Sequence, residues 1–482
     1  MKLAFATISE LKNKLEKKEI TVLGLIDYCI ERFKKYDAKV GAVLEVFDKE
    51  SIMAQYHNEG ILNGVPGLIK DNICQKNRIT SCASKILQNF SSPYDATAIN
   101  RLKHQGSLLM GRANCDEFAM GSSTETSAFG KTYNPWDTSR VPGGSSGGSI
   151  AAVAAGFVPY ALGSETGGSV RQPAAFCNVV GLKPTYGLIS RYGLVAYASS
   201  LDQIGIATRT VQDTAIVLSA IAGHDSHDST TLNVEQMDYT QGLTGKIKPG
   251  LKIGIIDNAL HAEGMDPEVS AALEAAIKQL ESLGGSIKRV TLPTMDYGAA
   301  VYFIVSRAEA ASNLARFDGV RYGVRDKEAQ NLLDMYELSR SKGFGHEVQS
   351  RIMVGNYVLS AGHAGKYYAK AKMVQDMMRQ EFHDAFADVD MLVSPVHAAP
   401  AFKIGAFDND KLQMDLQDYF TCPANLTGIP AIAIPCGFTR SGLPIGFQLM
   451  GPHLSERLLL QTAYAYEQST TWHTRHPVGF ED

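Results

Sequence analysis

Cysteine is sparse in this chain and forms no pattern. The seven cysteines (Cys29, Cys74, Cys82, Cys115, Cys177, Cys422 and Cys436) are odd in number and scattered, with no C-x-x-C among them. That argues against a disulfide framework and points to no metal site. A reducing, cytoplasmic compartment fits such usage. The first residues, Met1-Lys2-Leu3-Ala4-Phe5-Ala6-Thr7, lack the apolar core of roughly 7–15 residues that marks a signal peptide. No apolar run approaches the roughly 20 residues needed to cross a bilayer, so no membrane segment is expected. The most apolar stretch, Ser149 to Leu162, is shorter and rich in alanine and glycine. It reads as one buried helix. Charge of one sign is also missing. The net charge is −4 over 482 residues and no basic run stands out, which argues against an extensive nucleic-acid footprint on this chain. No repeat or low-complexity linker divides it.

Hydrophobic residues make up 45% and charged residues 20%, the balance of a globular protein. Length alone permits two or three domains. The pattern argues for one. Thr7-Ile8-Ser9-Glu10 is a capping box opening the first of two helices over 7–36. Residues 65–72 read as a turn and a short strand ending near Lys70. A helix over 96–105, a strand over 108–110, a helix-like turn over 116–122 and helix over 150–155 follow. Strands are expected at 251–256, 287–290, 391–395, 431–435 and 442–449, with a helix over 267–283. Residues 301–317 and 345–386 read as largely helical, and 224–250 as a polar surface excursion. Strand–helix alternation of this kind implies a single large α/β domain, its parallel or mixed sheet covered by helices on both faces.

Two glycine-rich stretches carry the chemistry: Gly143-Gly144-Ser145-Ser146-Gly147-Gly148-Ser149 and Gly163-Ser164-Glu165-Thr166-Gly167-Gly168-Ser169. Each sets a serine in a turn where nearby N–H groups can face a developing oxyanion. No lysine follows in the G-x-x-x-x-G-K-[ST] arrangement, so neither is a phosphate loop. Ser145 and Ser146 both satisfy G-x-S-x-G, which taken alone suggests a nucleophile elbow with His397 or His453 as partner. A flexible Gly-Ser loop is the plainer reading, but the first stretch runs straight into an alanine-rich helix. Lys70 would ordinarily be a solvated lysine. At the end of an apolar strand it would lose hydration, and its pKa of roughly 10.4 would fall toward 7–8, making it a usable base.

Lys70, Ser145 and Ser169 are separated by 75 and 24 residues. That arrangement resembles the amidase signature family, whose triad is Ser-cis-Ser-Lys. The resemblance implies the amidase signature fold over 1–482, with 1–60 an N-terminal helical part and 65–210 the signature core. It makes Ser169 the nucleophile, Ser145 the bridging serine and Lys70 the base, with the N–H groups of Thr166, Gly167 and Gly168 on the oxyanion. Ser146 becomes a structural neighbour and the histidine requirement disappears.

The likeness spans nearly the whole chain. Glu117-Phe118-Ala119-Met120-Gly121-Ser122-Ser123, Arg171-Gln172-Pro173-Ala174-Ala175-Phe176-Cys177, Gly181-Leu182-Lys183-Pro184-Thr185-Tyr186-Gly187 and Pro423-Ala424-Asn425-Leu426-Thr427-Gly428 are similar to one branch of the family, the glutamine-hydrolysing A subunits of tRNA-dependent amidotransferases. This branch implies a glutaminase in which Arg351 pairs with the substrate α-carboxylate, Asp418 with its α-ammonium, and Tyr302 contributes a hydroxyl. It implies the B and C subunits as partners in a heterotrimer, with Glu-tRNA(Gln), ATP and magnesium used mainly by B and no cofactor in this chain. A stand-alone amidase is the alternative. Cys115, Cys422 and Cys436 depart from the branch pattern and read as packing substitutions.

Overall fold

The computed structural model describes residues 3–482; Met1 and Lys2 lie outside it. Eleven strands form one mixed sheet: β1 (Val43–Val46), β2 (Pro66–Lys70), β3 (Leu108–Ala113), β4 (Tyr160–Glu165), β5 (Val180–Lys183), β6 (Gln203–Thr208), β7 (Lys252–Ile256), β8 (Ser286–Val290), β9 (Met391–Pro395), β10 (Ala431–Phe438) and β11 (Pro444–Met450), in the order β1-β3-β2-β4-β6-β5-β10-β11-β9-β7-β8. The period of two divides the core between the faces. Ile69, Leu109, Leu162 and Ile206 pack in one buried cluster. Their neighbours Leu68, Leu108, Ala161 and Ala207 pack in another on the opposite face. Helices cover both sides, as the alternation predicts. Among the described residues no helix is long and apolar enough to cross a membrane.

The first turn of helix Ile8–Glu16 carries the capping box read from sequence, with the Thr7 and Glu10 side chains each accepting the other's backbone N–H. The N-terminal part also contributes a strand, β1, to the sheet edge. The stretch Ser149–Leu162 is not one helix. Helix Gly147–Ala154 stops, Gly156 turns the chain at φ +68, and the rest becomes β4. Only glycine takes that turn without strain, and alanine-rich sequence hid the strand that follows. The region 345–386 is likewise two helices, His346–Leu359 and Tyr368–Asp388, separated where Gly362 adopts φ +82. β10 runs past Pro435 because a register shift there removes the need for its missing N–H.

Topology positions the site. β2 and β4 are parallel, with Ile69 opposite Leu162, so Lys70 and Glu165 reach the same edge of the sheet. β6 starts at that edge, with Gln203 opposite Glu165. The crevice beyond the carboxyl ends of such strands is where an α/β sheet binds ligands.

The turn after β4 is clamped by a buried ion pair. Glu165 and Arg171 are both fully buried. Glu165 accepts the N–H groups of Val170 and Arg171 at 3.1 and 3.2 Å and the Arg171 Nε at 2.8 Å. Arg171 also donates to the Thr421 carbonyl at 2.8 Å and to Asn425 Oδ1 at 2.7 Å. Breaking such a pair by removing one member leaves an uncompensated charge, at a cost on the order of 3–5 kcal/mol. Arg171→Met is therefore expected to lower the thermal unfolding midpoint well below that of the native chain. An unchanged midpoint by calorimetry would show that the clamp contributes nothing.

Candidate active site

Lys70 is fully buried. Its Nζ lies 2.7 Å from Ser145 Oγ, 2.9 Å from Ser146 Oγ and 3.2 Å from the Ser164 carbonyl. An ammonium has three N–H donors, and here each has an oxygen. Burial still dominates. It lowers the Lys70 pKa from 10.5 to about 8, against the pull of Cys115, Asp116 and Asp202. That shift disfavours the ammonium by roughly 3 kcal/mol and leaves about one chain in ten with a neutral amine at pH 7.

The proton inventory separates the two serines. Ser146 Oγ donates to the Ser164 carbonyl at 2.9 Å and accepts the Ser164 N–H at 3.2 Å. Its one hydrogen is spoken for, so toward Lys70 it can only accept. A neutral Lys70 keeps two N–H groups for Ser146 Oγ and the Ser164 carbonyl. Its lone pair then faces Ser145, whose hydroxyl alone is free to give up a proton. Ser146 is thus in direct contact with the amine, a role sequence reasoning assigned only to a structural neighbour. The Gly144–Ser145 peptide bond is cis. Asp116 sits close under this turn, where a β-carbon on Gly144 would lie 2.2 Å from its Oδ2.

Ser169 lies in the turn between β4 and helix Arg171–Cys177 and is only 4% exposed. The two stretches meet through the Ser146 N–H, which donates to the Ser169 carbonyl at 3.1 Å. Among the described residues the Ser169 hydroxyl makes no hydrogen bond, so the Ser145–Ser169 link is not closed here. Such contacts often tighten only with substrate bound. The backbone N–H groups of Gly167, Gly168 and Ser169 also have no acceptor among the described residues. Thr166 is fixed by its hydroxyl, which donates to Asp202 Oδ1 at 2.7 Å. Asp202 Oδ2 accepts the N–H groups of Tyr197 and Ala198 at 2.8 and 2.9 Å.

The three residues assigned to glutamine surround this turn. A β-carbon on Gly167 would lie 2.5 Å from the Tyr302 ring, and one on Gly168 2.1 Å from Thr421 Oγ1 and 3.1 Å from Asp418 Oδ1. Gly168 also has φ +155, so position 168 has no room for a side chain. Asp418 Oδ1 is buried without a hydrogen-bond partner, while Oδ2 accepts from Ser122 Oγ at 3.4 Å. Burial raises the Asp418 carboxyl to about 7, although Arg351 pulls it down. Arg351 donates Nε to Glu347 at 2.7 Å and Nη1 to the Tyr197 hydroxyl at 2.7 Å. Its Nη2 makes no hydrogen bond among the described residues. Burial holds the Tyr302 phenol well above its ordinary value, so it stays a neutral donor. Tyr197, Asp202 and Glu347 support the site and escaped sequence reasoning. Tyr197 and Asp202 lie far along the chain from what they hold and Glu347 one helical turn from Arg351, all in contexts any surface loop or helix could show.

A family model for amidases matches residues 24–460, most of the chain. The chain belongs to the amidase family. Within it, the A subunit of a glutamyl-tRNA(Gln) amidotransferase from a Cyanothece species is 51% identical, covering 98% of this chain and 99% of the relative. One from a Geobacillus species is 50% identical, with 98% of each chain covered. The crystal structure of the glutamyl-tRNA(Gln) amidotransferase A subunit from Thermotoga maritima matches with a TM-score of 0.84 at 42% identity, over 98% of this chain and 96% of that one. A peptide amidase from Stenotrophomonas maltophilia matches with a TM-score of 0.82 at 30% identity, over 98% of each chain. Near-equal overlap with such different amidases means the fold does not choose the substrate. The residues around the turn must.

Two outcomes are expected. The acid limb of kcat/KM should rise through a pKa of about 8, because only the neutral amine can accept a proton; a limb centred near 10.5 would refute that. Ser145→Ala should lower the rate about 10²–10⁴-fold. Ser146→Ala should instead keep turnover and move the limb to lower pH, since the ammonium loses an acceptor. Equal losses in the two variants would contradict the proton inventory.

Proposed function

We propose that this chain is the glutamine-hydrolysing subunit of a tRNA-dependent amidotransferase. Neutral Lys70 takes the Ser145 hydroxyl proton, Ser145 takes that of Ser169, and Ser169 Oγ attacks the side-chain amide carbon of glutamine. The N–H groups of Thr166, Gly167 and Gly168 receive the oxyanion, each donor worth about 3 kcal/mol. As the intermediate collapses, the proton returns through Ser145 to the leaving nitrogen and ammonia departs. A γ-glutamyl ester remains on Ser169. Water, deprotonated through the same relay, then cleaves the ester to glutamate.

One observation carries the choice of glutamine: the unpartnered, buried Asp418 Oδ1 beside Gly168, with Arg351 nearby keeping Nη2 unused. An α-amino acid brings an ammonium to the first and a carboxylate to the second. A neutral amide leaves a buried carboxylate uncompensated. With Nε on Glu347 and Nη1 on Tyr197, Arg351 offers the N–H groups of Nη2 to the substrate α-carboxylate.

The partner assignment follows the named relatives, about 50% identical over nearly their full length. In this reading ammonia passes to the B subunit, which uses ATP and magnesium to convert Glu-tRNA(Gln) to Gln-tRNA(Gln), and a small C subunit completes the assembly in the cytoplasm. The division into a helical part over 1–60 and a signature core over 65–210 belongs to the same proposal.

The test is ammonia release from glutamine by the full chain, alone and with the B and C subunits. Ser169→Ala should lower it by about 10⁴-fold or more. Asp418→Asn should raise KM roughly 30- to 5,000-fold, the equivalent of about 2–5 kcal/mol, while changing kcat much less. Cleavage of butyramide with glutamine untouched in every mixture would make the chain a stand-alone amidase.

A further inference from the structure

The two charged groups assigned to glutamine come from distant parts of the chain. Arg351 sits on helix His346–Leu359. Asp418 ends an arch that leaves the sheet after β9, runs over the surface and includes the short helix Lys411–Asp415. Recognition of an α-amino acid needs these charges at one fixed separation. Something must therefore hold the arch against the helices.

Apolar packing reaches only its far end, where Phe420 and Cys422 are buried in the same cluster as Tyr302 and Val305. No residue of Lys411–Asp415 is buried, and Leu412 is 68% exposed. Polar ties take its place. Arg307, on helix Gly298–Asn313, donates Nη2 to both Asp415 oxygens, at 2.7 and 2.9 Å. Its side chain is only 2% exposed and that of Asp415 18%. The guanidinium lies over the Phe303 ring, 3.2 Å from its centroid, which fixes its plane. Lys411 adds a weaker tie, reaching Glu347 at 3.2 Å and Ser350 Oγ at 2.6 Å. Lys411 is 44% exposed, and an ion pair so open to solvent contributes little. Nearer Asp418, the Gln417 side chain is within 2.6 Å of His397 Nε2. Arg307 is therefore the principal buried charge gripping helix Lys411–Asp415. It stands five residues after Tyr302 on the same helix, so one helix carries both the ring packed on Gly167 and the latch.

We propose that Arg307 and Asp415 form a latch that sets the separation of Arg351 and Asp418, and so determines selectivity for amides carrying an α-ammonium and an α-carboxylate. This rests on the glutamine reading above and adds two positioning residues to it. Neither touches the reacting amide. With the latch open, Asp418 is free to move away from Gly168, while Lys70, Ser145 and Ser169 keep their places on the sheet edge.

The experiment is calorimetric titration of L-glutamine into the full chain carrying Ser169→Ala, which binds without turnover. Adding Arg307→Met or Asp415→Asn should each raise Kd about tenfold. The two together should raise it no further, since both open the same latch. Arg307→Lys, which keeps the charge, should recover part of the loss. The sign of the effect excludes a pure field effect, because removing opposite charges would then move the two Kd values in opposite directions. Opposite shifts, additive losses or unchanged Kd values overturn the latch. If Arg307→Met fails to fold, Asp415→Asn at the surface decides the question by itself. The glutamine reading fails separately, if Ser169→Ala alone shows no glutamine binding while the native chain cleaves butyramide.

Discussion

A buried primary amine surrounded by three oxygens is the constraint on which the rest depends. Lys70 is fully buried, and Ser145 Oγ, Ser146 Oγ and the Ser164 carbonyl take the place of its hydration. Those oxygens come from two glycine-rich segments that must approach within hydrogen-bonding distance of one strand end. Parallel pairing of β2 and β4 delivers the strand ends to a common edge. The glycines let the turns close over it, and the Glu165–Arg171 pair fixes the second turn. Burial brings the amine down to about 8, and the nearby Cys115, Asp116 and Asp202 oppose a further fall.

In the proposed mechanism, bond-breaking groups and recognition groups occupy different layers. Lys70, Ser145 and Ser169 belong to the sheet edge and its turns. Tyr302, Arg351 and Asp418 belong to helices and an arch laid over that edge. They meet at Gly167 and Gly168, where the missing side chains bring the Tyr302 ring and the Asp418 carboxylate against the turn. Solved relatives with different names, an amidotransferase A subunit and a peptide amidase, share this fold. The overlying helices share a buried cluster of their own, and Arg307–Asp415 ties the exposed segment Lys411–Asp415 to them.

Much of the fold was legible in the sequence. The capped first helix, the strand ending at Lys70, and the strands near 253, 287, 393, 433 and 447 follow from local periodicity. β4 did not, because its alanines and glycines match the preceding helix and only Gly156 marks the change. β5 and β6 were equally silent; their pairing is with β4, β10 and each other, set by partners elsewhere in the chain. For the site, residue types alone left Ser145 and Ser146 equivalent, and spacing read through a family resemblance favoured Ser145. The proton count around Ser164 gives the physical reason, and it required coordinates. Tyr197, Asp202, Glu347 and Arg307 act through contacts between separate segments or along a helix face, and carry no local signature.

The central claim is that Lys70 is a near-neutral base poised on Ser145. Its most direct test is the titration of the Lys70 side chain itself. Chain labelled with ¹³C at the lysine ε-carbons, with the Lys70 signal assigned by its loss in Lys70→Met, can be followed by nuclear magnetic resonance as pH is raised. The account predicts a midpoint of about 8. A midpoint near 10.5, that of a solvated lysine, would contradict it.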